Sequence, residues 1–223
     1  MSRAPSPVRG RPQLSDEAAG YVRELIMSGQ MRPGESVRAE VLGEALSIST
    51  TPAREALQAL RVEGFLELVP RRGFQVAPLT ARDIEDLFTV QALITGELAA
   101  RAAVNATEAD LGELEALHHE LLAAAGRRDF VVLEEKNHAF HRGINLIAGS
   151  RKTLWVLSLM SRYVPRRLYP EIEGWPTATS QDHSSVLEFL RSRDADGARK
   201  AMHEHVVRAG VLLARQFDER ATP

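Results

Sequence analysis

Residues 35–77, ESVRAEVLGEALSISTTPAREALQALRVEGFLELVPRRGFQVA, decide how the first third of this chain folds. The spacing predicts a short helix, a tight turn, a second helix opening at Ser49-Thr50-Thr51-Pro52, and a two-stranded ribbon turning at Arg71-Arg72-Gly73. Ser49 suits the N-cap of the second helix, and Pro52 falls in its first turn, where the missing N–H costs nothing. Helical spacing sends Ala56, Leu57 and Leu60 inward and leaves Thr50, Thr51, Arg54 and Gln58 toward the exposed side. A helix-turn-helix followed by a basic wing is how a protein presents one helix to a DNA major groove. Arg54 is then the candidate for a bidentate contact to guanine, and the helix N-terminus at Ser49, Thr50 and Thr51 offers free N–H groups to a phosphate. Arg38, Arg71 and Arg72 are candidates for phosphate or minor-groove contact, and Gly73 permits a turn with positive φ.

Ahead of this stretch, Ala18, Val22, Leu25 and Ile26 mark a helix over 14–27, with Ser15 as its N-cap. Residues 1–13 read as a disordered, solvated arm carrying Arg3, Arg9 and Arg11. Behind it, Thr80 caps a new helix with Asp83 three residues on, and the domain boundary is placed there. Helices are then expected over 80–104, 107–125, 129–148, 151–168, 178–193 and 194–218. No alternating β-branched run follows residue 80, so residues 80–223 are expected to form an all-helical bundle. The fold class is mainly α: a winged helix-turn-helix over 14–79, then the helical bundle.

The chain has 223 residues, enough for two domains with separate cores. No apolar run approaches 18 residues, and the N-terminal stretch lacks the apolar core of a secretory signal. The absence of cysteine excludes disulfides and thiolate metal ligands, and it fits a cytoplasmic protein. A net charge of −2 argues against a protein that coats nucleic acid through bulk charge. Residues 1–78 hold 10 arginines against 9 acids, so any DNA affinity comes from placement.

All seven histidines lie beyond residue 80. Asn137 and His141 are four apart and share a helix face. His183 and His205 lie on two later helices. Three imidazoles and one amide oxygen from three helices could converge on a divalent ion and leave coordination positions open. The alternative is that the same residues line a metal-free pocket. His203 cannot face the same point as His205, and His118, His119 and His138 are read as surface or rim residues. A three-histidine site also admits an enzyme that activates water or oxygen. Against that, no Asp or Glu in the histidine segments has the spacing of a general base, and Glu204 points away from His205.

The run from Pro33-Gly34-Glu35 through Leu42, Ala45-Leu46, Ser49-Thr50-Thr51-Pro52-Ala53-Arg54-Glu55-Ala56-Leu57, Leu60, Glu63-Gly64 and Gly73-Phe74-Gln75-Val76 resembles the winged helix of the GntR family of bacterial transcription regulators. The resemblance implies operator binding as a homodimer. It also implies one absent DNA contact, because Thr50 stands where the family usually carries arginine. The segments Asn137-His138-Ala139-Phe140-His141, Ala148-Gly149-Ser150, Asp182-His183-Ser184-Ser185-Val186-Leu187 and Ala198 to Val206 are similar to the effector domain named FCD. In many members of that family an Asp and three His bind a metal at the floor of a pocket, and small carboxylate effectors bind against it. His141, His183 and His205 match the histidines, and Asn137 stands where Asp is usual.

A neutral amide in place of a carboxylate implies zinc or nickel in preference to manganese. Gln91 and Thr95 stand where the family often has Arg and Glu, so these two positions, with Arg162, are the candidate effector contacts. Arg166 and Arg167 are further candidates to replace the missing arginine. The resemblance thus implies a regulator, expected to repress, whose operator affinity follows a small metabolite.

Overall fold

The computed structural model describes residues 11–163 and 172–221. They divide into two compact units that meet in sequence at Leu79 and Thr80. In the first unit, α1 (Arg11–Met27) is followed by β1 (Ser36–Val37), α2 (Ala39–Leu46), α3 (Thr50–Val62), β2 (Leu66–Val69) and β3 (Gly73–Val76). α1 starts before the expected cap at Ser15, which therefore lies inside the helix. Arg3 and Arg9 lie outside the described residues.

The core of this unit is built by the helix faces the spacing selects. Ala18, Val22 and Ile26 of α1 are buried with Ala53, Ala56, Leu57 and Leu60 of α3. Arg23 ties the two helices at their edge, its Nε donating to Glu63 Oε2 at 2.7 Å. The turn between α2 and α3 depends on Gly43, where a Cβ would lie 2.9 Å from the Ile48 carbonyl oxygen. Ser47 then leaves α2 in the left-handed region at φ 55°. The wing holds one strand more than expected: β1 pairs antiparallel with β3, which pairs antiparallel with β2, so the order is β1-β3-β2. Two residues are too few for an alternating pattern, and β1 is found only by its register, Ser36 opposite Gln75 and Val37 opposite Phe74.

The second unit is helical throughout its described residues: α4 (Ala81–Asn105), α5 (Glu108–Arg127), α6 (Phe130–Ile147), α7 (Arg151–Met160), a 3-10 turn (Ser161–Tyr163), α8 (Trp175–Arg191) and α9 (Ala195–Ala221). Complete capping boxes start α4 at Thr80–Asp83 and α5 at Thr107–Asp110. These bonds hold both carboxyls below the usual carboxylate range, through the threonine hydroxyl first and its backbone N–H second. α7 stops at Met160, short of the expected 168, and residues 164–171 lie outside the described residues. α8 begins at Trp175, earlier than expected: Gly174 takes φ 81° at the N-cap, and Pro176 sits in the first turn, where proline is tolerated.

α4 and α9 pack along one another more extensively than any other pair, and α8 packs on both α9 and α5. α4 has no continuous apolar run of that length, yet it carries an 18-residue window of mean hydropathy 1.3, long and apolar enough by composition alone to cross a membrane. Half of that window is buried inside the bundle, and Glu97 on the same helix pairs with Arg101 and with Arg199 of α9. Core packing accounts for its apolarity.

Candidate functional site

The N-terminal unit places the expected DNA-facing residues on one exposed helix face. Ser49 is the N-cap of α3 in extended conformation, although its side chain makes no capping bond. Thr50, Thr51, Arg54 and Gln58 are exposed, while Pro52 and Ala53 turn inward. Arg54 Nη2 lies 3.5 Å from Glu40 Oε1 of α2, a solvated pair that DNA phosphates or base edges can displace at little cost. Arg38 is exposed at the N-cap position of α2. At the wing tip Arg72 N–H donates to the Val69 carbonyl, and the residues on either side of it are left-handed: Arg71 at φ 65° and Gly73 at φ 79°. That backbone lifts both exposed arginine side chains onto the tip of the wing. The left-handed Arg71 had no sequence signal, since arginine seldom adopts that region.

In the helical unit three imidazoles converge. α6 supplies His141, α8 supplies His183, and α9 supplies His205, with ligand nitrogens all within 4.8 Å of one another. His141 Nε2 lies 3.3 Å from His183 Nε2 and 3.1 Å from His205 Nε2. Phe140, fully buried, stacks on His183 with centroids 4.1 Å apart, fixing that ring's plane. Burial first, then the nearby His205 ring, pushes His141 and His183 well below the usual imidazole range. Both rings are therefore neutral at pH 7 and offer lone pairs.

The donor set fits a divalent ion. Metal–nitrogen bonds of about 2.0–2.1 Å at tetrahedral angles place ligand nitrogens roughly 3.3 Å apart, close to both observed separations. One hydrogen at His141 Nε2 cannot satisfy two neighbouring lone pairs, whereas one cation at the focus can. Asn137, one turn before His141 on α6, has a buried Oδ1 without a hydrogen-bond partner. A buried oxygen without a partner, one helical turn from His141, suits an amide ligand to the same ion.

Asp182 and Arg208 went unread in the sequence as neighbours of the cluster, and His118 was misplaced. His205 Nδ1 lies 3.3 Å from Asp182 Oδ2, and Arg208 Nη1 lies 3.2 Å from Asp182 Oδ1. His118, expected at the surface, is buried on the apolar stripe of α5, with Nε2 3.0 Å from Ser184 Oγ. Ser184 donates its own hydrogen to the Ser180 carbonyl, so His118 carries its proton on Nε2. His119 and His138 are exposed and His203 half-buried, all outside the cluster.

The candidate effector contacts fare unevenly. Thr95 is buried, and its hydroxyl donates to the carbonyls of Gln91 and Ala92 in its own helix. Its hydrogen is thus committed, and only its oxygen lone pairs remain for a ligand. Gln91 is half-buried on α4, and Arg162 is exposed in the 3-10 turn that packs on α4. Arg166 and Arg167 lie outside the described residues.

Comparison with known proteins agrees with both halves. Residues 14–76 match the family described as bacterial regulatory proteins, gntR family, and residues 86–208 match the FCD domain. The HTH-type transcriptional regulator McbR of Escherichia coli is 25% identical over 92% of this chain and 95% of its own. RspR, an HTH-type transcriptional repressor of the same organism, is 24% identical over 83% of this chain and 82% of its own. A third, YdhC of Bacillus subtilis, is 29% identical over 55% of this chain and 48% of its own length. The solved structure of E. coli McbR/YncC shares the fold, with a TM-score of 0.70 over 92% of this chain and 98% of that one, at 23% identity. A winged helix with an exposed reading face, joined to a helical bundle that matches the FCD domain over more than half the sequence, makes this chain a member of the GntR family of DNA-binding transcription regulators, in its FCD-bearing branch.

Proposed function

We propose that this regulator is a homodimeric repressor whose operator affinity is set by a small metabolite bound against a divalent metal in the helical unit. The matched families and relatives regulate transcription and are not enzymes. The observation that carries the metal reading is the meeting of His141, His183 and His205 nitrogens, together with the orphaned Asn137 Oδ1. These four residues would hold the ion, which would supply open coordination positions to an oxygen-bearing ligand. Four neutral ligands favour zinc or nickel over manganese. Gln91, Thr95 oxygen lone pairs and Arg162 are the proposed contacts to the rest of the metabolite.

Dimerisation is supported by apolar side chains left exposed on two helices that pack together, Val90 and Leu93 on α4 and Trp155, Val156 and Leu159 on α7. A dimer fits a palindromic operator when its two reader helices are separated by about 34 Å or a multiple of it. A metabolite that binds one spacing better than another shifts operator affinity by the difference in its binding energies. On the DNA side, Arg54, Ser49, Thr50 and Thr51 would read or anchor the major groove, with Arg38, Arg71, Arg72 and the Gly73 turn at the backbone.

The test is operator binding by gel shift with the zinc-loaded protein, across a panel of small metal-chelating carboxylates and neutral metabolites. Release of the operator by one of them, abolished in His183→Ala, is the expected result. Release that persists in His183→Ala would place effector binding away from the histidines. RspR is named a repressor, which supports repression as the direction.

A further inference from the structure

A ligating imidazole presents one nitrogen to a metal only if its proton is held on the other, and the residue that holds it is part of the site. For His183 that role is unfilled by protein, since its Nδ1 is buried with no partner. His205 differs. Its Nε2 faces His141 Nε2 at 3.1 Å, and its Nδ1 lies 3.3 Å from Asp182 Oδ2. The second oxygen of the same carboxylate is held by Arg208 Nη1 at 3.2 Å. Asp182 is largely buried, with 14% of its side chain exposed, so the carboxylate is confined between the imidazole and the guanidinium.

We infer that Asp182 is a positioning residue that accepts the Nδ1–H of His205, so that the Nε2 lone pair points at the focus of the three histidines. Arg208, one turn after His205 on α9, holds the carboxylate in that orientation. α8 then contributes twice from adjacent positions, His183 as a ligand and Asp182 behind a ligand of another helix. Asp182 also places a carboxylate 3.3 Å from one ring of the cluster. With Asn137 in the ligand position, all four proposed ligands are neutral, and the Asp182 carboxylate behind His205 supplies part of the charge that a ligating Asp would bring. This inference rests on the metal reading given above for the ligand nitrogens, but the state of the His205 ring can be read without any metal.

The test uses the full-length protein and its Asp182→Asn and Asp182→Glu variants. In chelator-treated protein, long-range 15N–1H NMR of the imidazoles is expected to show His205 protonated on Nδ1, and Asp182→Asn is expected to lose or mix that tautomer. In zinc titration against a chromophoric chelator, Asp182→Asn is expected to bind 10- to 100-fold more weakly, with Asp182→Glu recovering part of the loss. A His205 ring protonated on Nε2 in the wild type would overturn the inference, as would a folded Asp182→Asn with unchanged tautomer and zinc affinity. If the wild type binds no metal while His205 still shows the Nδ1–H form that Asp182→Asn removes, the positioning role stands and the metal reading fails instead.

Discussion

Asn137→Asp should reverse its effect on stability according to whether metal is present. The substitution keeps the side chain's shape and turns a neutral oxygen into half of a charged carboxylate. Asn137 Oδ1 is buried and accepts no hydrogen bond, so without an ion the new charge enters a site with no partner. A fully buried, uncompensated charge costs about 3–5 kcal/mol. Asn137 is only half-buried, which brings the expected loss to about 1–3 kcal/mol, the range for an unsatisfied buried polar group. At about 2–4 °C per kcal/mol for a protein of this size, metal-free Asn137→Asp should melt about 2–12 °C below the wild type. With a divalent ion the same charge becomes a ligand. Metal affinity should rise tenfold to a hundredfold, about 1.4–2.8 kcal/mol, and most for a hard ion such as manganese. Thermal unfolding by circular dichroism, in chelator and then in zinc or manganese, reads both signs. A variant that melts with the wild type under every condition would show that Asn137 faces neither an empty polar site nor an ion.

Three other expectations follow from particular contacts. Arg54→Ala should weaken operator binding by about 1–3 kcal/mol in a fluorescence titration, and unchanged binding would remove Arg54 from the reading face. A Cβ at Gly210 of α9 would overlap Cβ and Cγ of Phe88 on α4, so Gly210→Ala should cost about 1–3 kcal/mol in urea unfolding; no loss would mean that the two helices do not approach so closely. His141 and His183 are held neutral by burial, so below about pH 6.5 the unfolded chain binds protons that the native state does not. Metal-free protein should therefore lose stability as the pH falls from about 6.5 toward 5, and a urea midpoint flat across that interval would contradict the neutral, buried rings.

The reader helix was legible because its signals are local. Ser49 and Pro52 mark its start, and the 3.6-residue period alone separates Leu57 and Leu60 from Arg54 and Gln58. β1 was not legible, because a two-residue strand exists only through its pairing with β3. His118 could have been found: Leu111, Leu114, His118 and Leu121 lie on one buried stripe, and its polarity outweighed its position. Asp182 could not be found by spacing, since its partner is 23 residues away on another helix and adjacency to His183 predicts nothing about His205. The convergence of His141, His183 and His205 likewise depends on how α6, α8 and α9 pack; spacing offered it as one possibility, and resemblance to the FCD domain singled it out.

The most direct measurement is elemental analysis of the untagged full-length protein beside His183→Ala. Close to one zinc or nickel per chain, lost in the variant, is the predicted result. No bound metal in the wild type, even after zinc or nickel is supplied, would contradict a metal centre at the three histidines.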